Sequence, residues 1–199
     1  MAKAKSSRKE DILQALAAML EASTHQRITT AALAREVGFS EAALYKHFPS
    51  KTTMYEGLLD FVDEALFGAI NTITREDLPA TRACGNVLLA TLKFAELNPG
   101  ITRLICGDAL HGEHQRLQSR SNNLFNRLNT ELKQLIRKGE VQESLQTTLP
   151  PGQAARFMVN LVEGRLHQFV RSRFGDKPTE DWGLHWSFIE QSLFAAHKP

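Results

Sequence analysis

From Ser7 onward the apolar residues recur at intervals of three and four, the period of helices with one buried face, and almost nowhere at the interval of two that marks a strand. Ile12, Leu13, Leu16 and Leu20 trace a first helix, opened by Ser7 and Glu10 at capping-box spacing. His25-Gln26-Arg27 reads as a loop. Leu33, Ala34 and Val37 share one face of a short second helix that Thr29 or Thr30 caps, and Gly38 stands where helices end in the left-handed conformation. Ser40 caps a third helix whose buried side carries Leu44 and Phe48. Pro49 stops it, because proline lacks the N–H that the ladder needs, and Ser50 caps a fourth helix. This helix, over about 51–74 and marked by Leu58, Leu59, Val62, Leu66, Ile70 and Ile73, is about 36 Å long at 1.5 Å per residue.

Arg75 to Pro79 is a polar boundary. Helices are then expected over about 80–97, over 100–107 after the corner Asn98-Pro99-Gly100, and over 108–138 with Leu117, Leu124, Leu128, Leu132 and Leu135. Gly139 to Gly152 reads as a loop. The last two helices, about 153–174 and 179–195, carry apolar stripes wider than one core contact needs. Phe157, Leu161, Phe169, Trp186, Ile189 and Leu193 are therefore expected at a subunit interface. The fold class that emerges is all-α with about nine helices. A three-helix N-terminal domain over 1–52 precedes a helical dimerisation and effector domain over 53–199, and the helix 51–74 bridges them.

Composition adds little and excludes more. Hydrophobic residues at 42% and charged residues at 23% are ordinary globular values. No apolar run reaches the ~18 residues of a membrane span, and Cys84 and Cys106 lie in apolar helical contexts, as reduced thiols of a cytoplasmic protein do. The net charge of +2 is unevenly spread: residues 1–52 hold eight Lys or Arg against five Asp or Glu, a local +3, and the remainder holds 16 against 17, or −1. Cys106, His111, Glu113 and His114 match no zinc spacing, so no metal is assigned. No GxSxG, HExxH or phosphate-cradling glycine loop appears, which leaves no catalytic constellation and no cofactor. Phe61, Phe67, Phe94 and Phe125 suit either ordinary core or the lining of a small-molecule pocket.

Chemistry concentrates between Ile28 and Thr53. Two short capped helices around a glycine turn form a helix-turn-helix. With Leu44 and Phe48 turned inward, Ala42, Tyr45, Lys46 and His47 point elsewhere, as small, aromatic and basic groups of a recognition helix do in a major groove. Lys51, Thr52 and Thr53 stand in the first turn of the long helix, where the dipole attracts an anion such as a DNA phosphate. Lys3, Lys5, Arg8 and Lys9 make either a backbone-following arm or a solubilising tail.

The run Leu44-Tyr45-Lys46-His47-Phe48-Pro49-Ser50-Lys51 resembles the signature of the TetR family of bacterial DNA-binding regulators. Over about 10–195 the chain is most similar to that family's nucleoid occlusion branch. The likeness lies in Gln26 to Ala31, Phe39 to Thr52, Asn98 to Arg103 and Arg165 to Arg173. The resemblance implies a nucleoid-associated homodimer on palindromic double-stranded DNA, with no small-molecule inducer. It also implies that the DNA-bound protein antagonises ring assembly by FtsZ, the tubulin-like division protein. By position, Thr29, Thr30, Ser40, Tyr45, Lys46, His47, Lys51 and Thr52 become DNA contacts, with Ala42 near the bases. Lys46 and Lys51 would hold phosphates, Tyr45 and His47 would fix register, and Ser40 and Ala42 would approach base edges. Phe61 and Asn98 match the groove for the FtsZ tail. Ala69, Lys93 and Leu97 depart from the arginine or glycine carried there by a relative. The alternative within the same family is a transcriptional repressor released by a small ligand.

Overall fold

The structure, a computed structural model, describes residues 7–23, 28–110 and 115–195. The expected loop at His25 to Arg27, the arm residues Lys3 and Lys5, and His111, Glu113 and His114 lie outside the described residues. Nine α-helices occur among those described: α1 (Arg8–Ala22), α2 (Thr30–Glu36), α3 (Glu41–His47), α4 (Lys51–Arg75), α5 (Ala80–Leu97), α6 (Pro99–Ile105), α7 (Gln115–Gln142), α8 (Pro151–Arg171) and α9 (Trp182–Leu193). One contiguous cluster of buried apolar side chains runs through them from Ile12 to Phe194.

Local chemistry accounts for most of the boundaries. Ser7 Oγ accepts from Glu10 N at 3.3 Å while the Glu10 carboxylate accepts from Ser7 N at 2.8 Å, so the capping box of α1 is complete. Ser50 and Thr53 make the reciprocal pair that starts α4, each side-chain oxygen accepting from the other's N–H at 3.1 Å. The start of α5 is satisfied from a distance: Ala80 N donates to the Glu143 carboxylate at 2.9 Å.

Several expected boundaries are corrected. Asp108–Leu110, expected to open the long helix, form a 3-10 turn; among the described residues α7 covers Gln115–Gln142 and so continues past Gly139. Gly139 is not a stop signal: a Cβ there would lie 2.6 Å from Ala80 Cβ, so it lets the start of α5 approach. Part of the expected loop 139–152 forms a two-residue strand, β1 (Gln146–Thr147), antiparallel to β2 (Phe194–Ala195). Helix α8 starts at Pro151, a position that suits proline, and ends at Arg171 because Arg173 and Phe174 take positive φ. Helix α9 starts at Trp182 because Asp181 is left-handed, with φ 53°.

Helix α4 packs on α1 at one end and on α5 and α7 beyond it. Met54, Tyr55, Leu58, Leu59, Val62, Leu66, Phe67 and Ile70 supply its buried stripe. Outside that stripe runs a ladder of ion pairs to α7: Arg116 with Glu56 at 2.9 Å, Arg120 with Asp60 at 2.8 Å and Asp63 at 3.0 Å, and Arg127 with Asp63 at 3.3 Å. Partial burial pulls the Arg120 pKa down, and Asp60 and Asp63 more than reverse that, for a net rise. No helix among the described residues is long and apolar enough to cross a membrane.

Two glycines give opposite expectations. A Cβ on Gly85 would fall 2.6 Å from Trp186 Cε2, so Gly85→Ala forces the indole off α5. The overlap should cost about 1–3 kcal/mol, more than the roughly 1 kcal/mol that alanine gains in helix propensity. Gly68, also helical, has open space where its Cβ would be, and Gly68→Ala should stabilise by about 0.4–1 kcal/mol. Urea denaturation of both variants checks the pair of signs.

Burial pushes the thiols of Cys84 and Cys106 up to about 12, helped by Glu143 at the first and by Asp108 and Glu163 at the second. Their neutral forms contribute stability that is full below pH 9 and declines as pH rises toward 12. At pH 7.5 both should resist iodoacetamide in the folded protein and react after unfolding; rapid native labelling, read by mass spectrometry, would contradict this.

Candidate nucleic-acid interface

The turn between α2 and α3 is built by backbone chemistry. Gly38 takes φ +70°, its N–H donates to Arg35 O at 3.2 Å, and Phe39 N donates to Ala34 O at 2.8 Å. These are the two bonds of a Schellman motif, which only a residue free to adopt positive φ closes cheaply. Thr29 Oγ1 accepts from Ala32 N and Ser40 Oγ from Ala43 N, each at 3.2 Å, so both helices are capped as their sequences predict. Ile28, Leu33, Ala34, Leu44 and Phe48 turn inward.

The opposite side is left to solvent. Thr29, Ser40, Ala42, Tyr45 and Lys46 are exposed; Thr30, His47, Lys51 and Thr52 are partly covered. Two of these nine are joined directly. Tyr45 Oη donates to Thr30 Oγ1 at 3.3 Å, and Thr30 Oγ1 donates to the Glu41 carboxylate at 2.8 Å. The phenol is thus aimed across the start of α2, and Glu41 belongs to the same surface. Sequence reasoning had no reason to select Glu41, whose partner lies eleven residues away. Lys51 opens α4 with its ammonium 5.2 Å from the centre of the Tyr55 ring. Of the arm residues, Arg8 and Lys9 lie in the first turn of α1, over the rings of Phe39 and Phe48 at 5.9 and 5.8 Å. They are helical and tied to the reader's aromatic side chains.

A second feature brings Phe61 and Asn98 together. A cleft of about 620 Å³ opens between α1, α4 and the α5–α6 corner, with Leu13, Ala17, Leu58, Phe61, Leu97 and Ile101 in its lining. Phe61 is 43% exposed and Leu97 80%; Phe61 also meets Phe94 with ring centres 6.0 Å apart. Asn98 lines the same cleft, its Nδ2 donating to Phe94 O at 2.8 Å. Glu10 and Glu21 make its rim acidic, while Ala69 and Lys93 are exposed outside the lining.

The six expected interface residues divide. Phe157 is half exposed and Leu161 partly so, whereas Phe169, Ile189 and Leu193 are buried in the chain's own core. Trp186 is partly buried, stacked on Trp182 at 6.0 Å and seated on Gly85. Periodicity finds an apolar stripe without saying which edge of it the core consumes. The apolar surface that α8 and α9 leave open includes Phe157, Leu161, Leu184 and Phe188, the last two over 70% exposed. Among the described residues no cluster of His, Cys, Asp and Glu is arranged to hold a metal.

Comparison with known proteins places both parts of the chain in known families. Residues 9–58 match the family described as bacterial regulatory proteins of the tetR family, and residues 81–194 match the one described as Tetracyclin repressor-like, C-terminal domain. The chain is 47% identical to the nucleoid occlusion factor SlmA of Idiomarina loihiensis, over 98% of this chain and all of that one. It is 50% identical to the protein of the same name from Shewanella loihica, over 95% of this chain and 96% of the other. Among solved structures, the MbdR regulator of Azoarcus sp. CIB superposes with a TM-score of 0.78 at 15% identity, covering 94% of this chain and 99% of that one. The regulator FadR of Bacillus subtilis, solved with stearoyl-CoA, superposes at 0.73 with 12% identity, covering 92% and 98%.

Proposed function

This chain belongs to the TetR family, in its nucleoid occlusion factor SlmA branch, and on that premise we propose that it acts as a DNA-bound dimer that antagonises FtsZ ring assembly over the chromosome. The reader, up to residue 52, binds a palindrome. The effector domain from residue 53 onward joins two copies and receives FtsZ. Two α3 helices enter successive major grooves about 34 Å apart. Lys46 and Lys51 hold phosphates, Tyr45 and His47 set the register, Thr29, Thr30 and Thr52 contact the backbone, and Ser40 and Ala42 approach base edges. A second copy covers the apolar face of Phe157, Leu161, Leu184 and Phe188. Such a protein works in the cytoplasm on the nucleoid and needs no catalytic group.

The observation that carries the FtsZ half of this reading is the cleft between α1 and α4, in which Phe61 and Asn98, distant in sequence, line one opening. It is concave and largely apolar, as sites that take the apolar side chains of a peptide are. The ligand-released repressor is the second reading. The space enclosed between Val62, Phe67, Phe94 and Leu128 amounts to about 20 Å³, room for about one water, but a cleft of about 580 Å³ lined by Cys106, Ser121, Asn126 and Glu163 in the same domain has the volume of a small-molecule site.

Two measurements test the proposal. Lys51→Ala should weaken binding to every duplex alike and lower the slope of log affinity against log salt by about one; an unchanged slope removes Lys51 from the phosphate contacts. In a sedimentation assay of FtsZ polymers, the protein loaded with its specific duplex should reduce assembly more than the protein alone. Equal assembly with and without the DNA-loaded protein, together with release of the duplex by a small metabolite, would favour the repressor instead.

A further inference from the structure

Arg103 belongs to neither the reading surface nor the cleft, yet it is the one charged side chain buried among the described residues, at 7% exposure. It projects from α6 to the far end of α1. Its Nη1 donates to Leu20 O at 2.6 Å and to Ser23 O at 2.5 Å, and its Nε donates to Asp108 Oδ2 at 2.6 Å. Helix α1 has no basic residue in its last turn, where unsatisfied carbonyls and the negative end of the dipole attract a cation. The effector domain supplies that cation across more than eighty residues of chain. One turn earlier on α6, Gly100 meets α1 backbone to backbone: a Cβ there would lie 2.0 Å from Ala17 O and 2.8 Å from Glu21 N. The corner behind it is tied as well, since Thr102 Oγ1 bonds to Ala95 O at 2.9 Å and to Asn98 O at 3.0 Å. Helix α1 in turn packs on α2, α3 and α4.

We propose that Arg103 is a positioning residue for DNA reading: with Gly100 it locks the end of α1 onto α6, and so sets the angle at which each reader stands on the dimer. The inference rests on the dimeric DNA-binding reading above. Burying a guanidinium is costly unless its donors find partners, and those here include the carbonyls of Leu20 and Ser23 and the Asp108 carboxylate. No rigid-body tilt of α1 against α6 keeps these bonds, so the separation of the two α3 helices is held to one value. Arg103 touches no DNA in this scheme; it acts through α1.

The test uses a palindromic duplex selected in vitro by the wild-type protein, and two derivatives with the half-sites one base pair closer or further apart. Wild type should lose about tenfold in affinity on each derivative, the scale of a defective site. Arg103→Ala should bind the parent duplex about tenfold more weakly and the three duplexes nearly equally, with the wild-type salt slope, because no phosphate contact is lost. Gly100→Ala should flatten the spacing profile in the same way. Arg103→Lys, whose ammonium can reach both carbonyls, should restore part of it. A lowered melting temperature with the wild-type spacing profile in Arg103→Ala overturns the proposal. Should Arg103→Ala fail to fold, Arg103→Lys and Asp108→Asn decide it, and wild-type profiles in both overturn it. A wild type that selects no duplex defeats the DNA-binding reading itself, which the variants do not test.

Discussion

Burial along α4 is the constraint on which the other parts depend. One end of this 25-residue helix sits in the reader's core through Met54, Tyr55 and Leu58, and the other sits in the effector core through Leu66, Phe67 and Ile70. Each such side chain contributes about 1.5–3 kcal/mol on leaving water. An ion pair open to water contributes at most about 1 kcal/mol, and the Arg116, Arg120 and Arg127 ladder, with members from partly buried to exposed, adds less to holding α4 than the buried stripe does. It selects the register in which α7 lies beside a helix that burial has already docked. Because one helix runs through both ends of the core, it joins the reader to the effector domain.

That continuity gives meaning to the small net charge of the reader. A local +3 is weak attraction for a phosphate backbone, and selectivity must come from arrangement. The arrangement is a set of capped helix starts and one hydrogen-bonded chain from Tyr45 through Thr30 to Glu41. These bonds orient groups before any partner arrives, which lowers the ordering cost of binding. The cleft shares a wall with the reader, since Leu13 and Ala17 of α1 line it. The two surfaces therefore meet in one helix.

Local signals in the sequence proved readable because their partners are neighbours. The Ser7 and Glu10 box, the Thr29, Ser40 and Ser50 caps, and the positive φ of Gly38 each arise from residues within three or four positions. The family likeness then placed Phe61 and Asn98 on one cleft. The features that stayed hidden depend on contacts far along the chain. Gly139 reads as a helix stop until Ala80 is known to press on it. Phe169, Ile189 and Leu193 read as interface until the core is seen to take them, while Leu184 and Phe188 stay exposed. Arg103 looks like an ordinary surface arginine in a short helix, because nothing local says that the end of another helix lies against it.

The central claim is that two readers are held at a fixed separation matched to duplex DNA. Spin labels on Ala42→Cys, at the exposed face of α3, measure that separation directly, and the two protonated native thiols leave the new cysteine as the reactive one. The account predicts one narrow intersubunit distance near 34 Å, about one helical turn of DNA. Absence of any intersubunit distance, or a broad distribution centred far from one turn, would contradict it.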